Sequence, residues 1–165
     1  MEVSILDEEV GFECAIDREK GIIMGRLKKD QDFLEGIIAV CQFYNIQSAT
    51  FNGIGSLAKL GYYQFEQRSD GTLYYSEPIC KDEPGELLSG NGFIGLDEHN
   101  QLDVHYHGMY VDKNGNISGG HFIRGKNPTA VTIEFTIHYT NEIHLQRKPD
   151  STYNIPIFHF SERGS

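Results

Sequence analysis

The sequence predicts an α/β domain built on a largely antiparallel sheet, and three observations lead there. Nine Tyr and ten Phe occur without a Trp, and the apolar runs between them are short, a composition that favours strands. Residues 130–139 alternate, with Val131, Ile133, Phe135 and Ile137 set against Thr132, Glu134, Thr136 and His138, the period of a half-buried strand. Phe33, Leu34, Ile37, Ile38, Cys41 and Phe43-Tyr44 instead recur at helical spacing, which implies a helix lying on that sheet. A chain of 165 residues is expected to form one domain over residues 1–165.

In chain order, Gly11 to Ile16 and Gly21 to Leu27 read as strands around the charged turn Asp17-Arg-Glu-Lys20. Asp30 is the expected N-cap of a helix from Gln31 to Tyr44, with Asn45 ending it. Ile46 to Ile54 returns as a strand into an expected glycine turn, Asn52-Gly-Ile-Gly-Ser56. That turn lacks the lysine of a phosphate-binding loop, and no convincing long helix follows it. Leu60 to Gln67 and Thr72 to Ile79 flank the hairpin signal Arg68-Ser-Asp-Gly71, and residues 77–86, with two prolines, read as a loop. Leu87 to Leu96, rich in glycine, is expected to bend or to split into two short strands. Leu102 to Val111 and Asn116 to Ile123 form a second hairpin. A long strand from Ala130 to Tyr139, a brief one at Glu142 to Leu145 and an edge strand at Ile155 to Phe160 complete the chain.

The formal net charge is −10, from 24 acidic and 14 basic residues, and the basic residues are scattered. That disfavours a phosphate backbone as partner, so DNA is not the expected ligand. Three cysteines form no C-x-x-C pair and are expected to be reduced thiols of a cytoplasmic protein. Met1 to Asp7 shows no basic-then-apolar leader, and the apolar stretches are too short to span a bilayer, so no membrane association is expected.

The strongest chemical signal is His105-Tyr-His107, followed by Gly119-Gly-His121. His105 and His107 have the same parity and leave one face of their strand. His121 joins that face only if residue numbers paired across the hairpin sum to an even value. A two-residue Asn114-Gly115 turn would place Gly108 opposite His121. A three-residue Lys113-Asn114-Gly115 loop with Gly115 left-handed sets His107 across from His121, and this wider loop is the one predicted. Three neutral imidazoles could then hold Zn²⁺, or another divalent transition metal, with an open position for water or ligand. Asp103, Glu134 and Glu98 are available as acceptors for the rings' second nitrogens, and Glu134 is also the candidate catalytic acid/base. The competing reading makes His105 and His107 solvated surface residues and His121 a hydrogen-bonded core residue. No triad of nucleophile, base and acid is apparent by spacing. A cupin barrel, which also uses H-x-H, is disfavoured because Gly108-Met-Tyr-Val111 supplies no following Glu.

Taken in order, several motifs resemble the PPC (plant and prokaryote conserved) domain family between Met24 and Leu145. They are Asp32-Phe-Leu-Glu-Gly36, Ala49-Thr-Phe-Asn-Gly-Ile-Gly-Ser-Leu57, His105-Tyr-His107, Asp112-Lys-Asn-Gly115, Gly119-Gly-His-Phe-Ile-Arg-Gly125 and Thr132-Ile-Glu-Phe135. The resemblance implies an α/β domain with a mixed sheet flanked by helices, a homotrimer, and zinc or a similar ion at His105, His107 and His121. It resembles the bacterial type, without the Arg-Gly-Arg-Pro AT-hook of plant members. The family fold is also similar to that of acetolactate decarboxylase, a three-histidine metalloenzyme. Two functions are therefore carried forward: a metal-dependent hydrolase or decarboxylase for a small polar substrate, and a DNA-binding or regulatory interaction module with a structural metal.

Overall fold

The computed structural model describes residues 10–152 and 155–164. The chain runs β1 (Phe12–Asp17), β2 (Ile22–Leu27), α1 (Phe33–Phe43), β3 (Ala49–Leu57), β4 (Leu60–Tyr63), β5 (Phe65–Gln67), β6 (Leu73–Tyr75) and β7 (Ile79–Lys81). It continues through β8 (Gly85–Leu96), β9 (Leu102–Asp112), β10 (Ile117–Phe122), β11 (Thr129–Tyr139), β12 (Ile143–Pro149) and β13 (Pro156–Glu162). Eleven strands form one sheet, whose main path is β1-β2-β11-β3-β8-β9-β10-β4-β7. β12 joins β8 by a single parallel bridge and pairs with β13, while β5 and β6 form a separate hairpin.

The expected α/β class with helices flanking the sheet is overturned: the protein is β-rich, and α1, 11 residues long, is the one helix among the described residues. The reason lies in the connections. Antiparallel neighbours need only a turn between them, whereas parallel strands need a crossover of a dozen or more residues. α1 is such a crossover, linking β2 to β3, which lie on either side of β11 and both antiparallel to it.

The two sheet faces differ in chemistry. On the inner face, Ile23, Leu27, Phe51, Leu87, Ile94, Tyr106, Phe122, Ile133, Phe135 and Ile137 are buried together with the helix residues Phe33, Leu34, Ile37 and Cys41. Phe33 meets Tyr106 edge-on at 5.0 Å and Phe51 at 5.9 Å. The outer face carries one lateral row: Met24, Thr136, Asn52, Asn91, His107, His121 and Tyr63 are successive register partners across seven strands.

Several local expectations shift. Asp30, at φ 69°, is left-handed and cannot be the helix N-cap. Asp32 is, accepting from the Leu34 and Glu35 amides at 3.1 Å each. At the other end Asn45 is left-handed (φ 57°). Its amide reaches the Gln42 carbonyl, and that of Ile46 reaches Cys41, which satisfies two terminal carbonyls. The expected turn Asn52–Ser56 lies inside β3. Gly53 serves close approach there, because a Cβ would fall 2.9 Å from Phe33 Cζ. Residues 77–86 are not all loop, since they contain β7 and the first residues of β8. Cys14, Cys41 and Cys80 are free thiols, and among the described residues no helix is long and apolar enough to cross a membrane.

Candidate metal centre

The β9–β10 hairpin turns through Lys113, Asn114 and Gly115, as the sequence predicts. The Asp112 amide donates to the Asn116 carbonyl at 3.1 Å, the Gly115 amide donates to Asp112 at 3.0 Å, and Gly115 sits at φ 81°. The Asp112 carboxylate fixes this loop by accepting from the Asn114 and Asn116 amides at 2.8 and 3.0 Å. Bonding to Asn116, first by its side chain and then by its amide, holds the Asp112 carboxyl below its ordinary pKa. The register that follows pairs Ile117 with Val111 and His121 with His107. Gly119 and Gly120 let neighbouring strands close around the site: a Cβ on either would meet backbone, at 2.0 Å from the Gly108 oxygen or 2.5 Å from the Tyr63 oxygen.

Three imidazoles thereby share the outer face. One ligand nitrogen from each of His105, His107 and His121 lies within 4.8 Å of the others, and the two Nε2 atoms of His105 and His107 are 3.0 Å apart. Nitrogens at Zn–N distances of 2.0–2.1 Å in tetrahedral geometry sit roughly 3.3 Å from one another, so a small closure of these rings would meet one ion. The donor set suits it as well. Burial, followed by the charges of the neighbouring histidines and Arg147, lowers His105 and His121 to about 4, and burial lowers His107. The rings are thus neutral at physiological pH, with lone pairs free to ligate. His121 Nδ1 is enclosed without a hydrogen-bond partner among the described residues, an unmet polar atom that an ion or its ligand sphere would satisfy.

The surroundings depart from expectation. Asp103 does flank His105 on the same face, but its carboxylate is engaged by the Arg147 Nε–H and by the Val104 amide. Arg147 reaches over from β12, its guanidinium 4.4 Å from the Phe158 ring. Glu98 is exposed in the β8–β9 turn. Glu134 lies on the outer face opposite Ile54 and Arg26, in β11, three strand spacings from His107. At about 4.8 Å per strand that is about 14 Å, too far to move a proton at the histidines of its own chain. The structure therefore does not bring the expected acid/base to the site.

Residues 16–140 match the model of the Plants and Prokaryotes Conserved (PCC) domain. The chain belongs to that family. Solved structures share the fold of this PCC domain. One from Bacteroides thetaiotaomicron, provisionally named a DNA-binding protein, is 17% identical, with TM-score 0.76, covering 91% of this chain and 98% of the other. A plant- and prokaryote-conserved protein from Pyrococcus horikoshii is 24% identical, with TM-score 0.68 and coverages of 90% and 94%. A protein from Archaeoglobus fulgidus described as metal-containing is 19% identical, with TM-score 0.71 and coverages of 96% and 99%. No curated protein matches this PCC domain.

Sequence reasoning missed three neighbours of the site. Tyr75 and Tyr63 flank His121, at ring-centroid distances of 5.2 and 6.2 Å, and Arg147 completes the rim. Tyr63 needed the pairing of β4 with β10, and Arg147 the folding of β12 and β13 over Gly95. Both are long-range arrangements without a local sequence signal.

Proposed function

We propose that this PCC domain is a metalloprotein, and that His105, His107 and His121 hold one divalent transition ion, Zn²⁺ by ligand chemistry, on the outer face of the sheet. The single observation that carries the reading is the convergence of three neutral ring nitrogens within 4.8 Å. A bound ion supplies Lewis acidity, able to polarise a carbonyl or activate water, which suits hydrolysis or decarboxylation of a small substrate with a polar head. The chain's own residues do the rest. Gly119 and Gly120 admit the close strand approach, Asp112 fixes the register, and burial keeps the rings unprotonated, with Arg147 countering Asp103 beside His105.

We also propose a homotrimer. Its support is the apolar surface left on exposed residues: Met24, Ile54 and Met109 on the outer face are 59%, 57% and 50% exposed, and Val131 is 68% exposed. Elemental analysis of freshly purified protein beside His105→Ala and His121→Ala tests the metal. About one ion per chain is expected in the parent and a loss in both variants. Equal metal in all three overturns the reading.

A DNA-binding role, suggested by names such as that of the Bacteroides structure, is the weaker reading. The net charge is −10, and Arg26, Lys59, Arg124 and Arg147 are paired with carboxylates. A gel shift with mixed duplexes at moderate salt and micromolar protein should show no complex.

A further inference from the structure

Two hairpins rise on either side of the histidines. β5–β6 stands beside His121, with Tyr75 5.2 Å from its ring and Phe65 edge-on to Tyr75 at 5.3 Å. β12–β13 folds over the face at Gly95, where a Cβ would meet Phe158 and Leu145, and brings Arg147 to Asp103 beside His105. Beside the β5–β6 hairpin lies a cavity of about 570 Å³. Phe65, Leu73, Tyr74 and Tyr75 form one wall, with Thr152 and Ile155 opposite. That volume falls in the ordinary range for small-molecule pockets.

We propose that this cavity is the substrate-body subsite of the metal centre, and that the ligand has a flat, apolar or aromatic body joined to a metal-binding head such as a carboxylate or carbonyl. This rests on the metal reading above and names its substrate class. The placement of Tyr75 carries it: this residue lines the cavity and its ring centroid lies 5.2 Å from that of His121, so a ligand body seated there borders the metal centre. The chemistry of the lining selects the body. Aromatic faces and Leu73 favour a planar apolar group. Among the described residues the lining includes no lysine, arginine or carboxylate to partner a charge on the body, and the hydroxyls of Thr72 and Thr152 suit at most a hydroxyl or ether. Phe65 and Leu73 are 55% and 51% exposed, an arrangement that leaves apolar surface to be covered by a ligand.

Calorimetric titration of the zinc-loaded protein with two chelators tests the proposal. Benzohydroxamate carries a ring on its metal-binding head, whereas acetohydroxamate carries only a methyl. Benzohydroxamate is expected to bind roughly tenfold tighter, the effect of burying a ring. Leu73→Asp and Phe65→Ala, at exposed positions that the fold tolerates, should each erase most of that gap while leaving acetohydroxamate affinity unchanged. Equal affinities in the parent protein, or a gap that persists in both variants, overturn the subsite and leave the metal centre standing. Binding of neither chelator overturns the metal-anchored reading and the subsite with it.

Discussion

His107 stands directly across the β9–β10 ladder from His121, and the pairing is set five residues beyond His107, where Asp112 faces Asn116 over a three-residue loop. The even register sum is thus the hinge between loop chemistry and metal chemistry. Deleting Lys113 leaves Asn114-Gly115 to make the turn while Asp112 still faces Asn116, so zinc content should be retained. Deleting Ser118 moves His121 into the position now held by Gly120, on the helix side of the sheet. Zinc content, measured per folded chain by emission spectrometry with circular dichroism as the folding control, should then fall to about a tenth or less.

Both the register and the helix were readable in sequence because each rests on local chemistry. Asp112, Gly115 and residue parity decide the first, and apolar spacing from Phe33 to Cys41 decides the second. What local chemistry does not encode was missed. Asp32 rather than Asp30 caps α1 because its second carboxylate oxygen also accepts from the Asn127 amide at 2.7 Å, a bond across 95 residues. Gly53 and Gly55 look like turn residues, yet they sit in β3 because Phe33 and the Thr132 carbonyl crowd them. Glu134 reads as a site residue by parity alone. Parity gives the face, but strand order gives the distance, and strand order is a property of the whole chain.

Glu134→Gln should accordingly leave zinc affinity unchanged within about twofold, since a carboxylate about 14 Å away neither ligates nor orients the rings. A competition titration with a chromophoric chelator would show it. A tenfold loss would mean that Glu134 reaches a site after all, from another copy of the chain.

Acid should destabilise the metal-free protein through the same rings. The unfolded chain protonates its histidines near pH 6.5, whereas folding lowers His105 and His121 to about 4 by burial. Between those values the unfolded state binds more protons. The stability contributed by neutral rings is therefore whole above about pH 6.5 and is lost as pH falls toward 4. Urea midpoints at pH 7, 5.5 and 4.5 should decline in that order. The decline between pH 7 and 5.5 should shrink in a His105→Gln, His121→Gln double variant.

Outer-face burial is open to a direct test. Ile54→Glu places a carboxylate on an exposed residue of β3, where a lone chain would tolerate it. If this face is covered in a trimer, light scattering should report about three chain masses for the parent and one for the variant, with unchanged circular dichroism. A parent that is already a single chain would remove the assembly.

Arg147 and Asp103 pair beside His105 with side chains only 19% and 26% exposed, so the pair is partly desolvated. Arg147→Met keeps the packing on Phe158 and removes the charge. Asp103 is left unpaired, and stability should fall by up to about 3 kcal/mol, the lower end of what breaking a buried pair does. Because methionine keeps this packing, the burial of His105 is unchanged and its titration reads the lost charge. Arg147 lowers the His105 pKa and Asp103 raises it, so without the guanidinium the carboxylate acts unopposed and the imidazole should titrate higher than in the parent. Protons would then compete with zinc at a pH where the parent still holds the ion. Imidazole proton shifts followed from pH 7 to 4 in the metal-free variant would show the rise. An unchanged His105 titration would mean that Arg147 braces β12 without tuning the ligand.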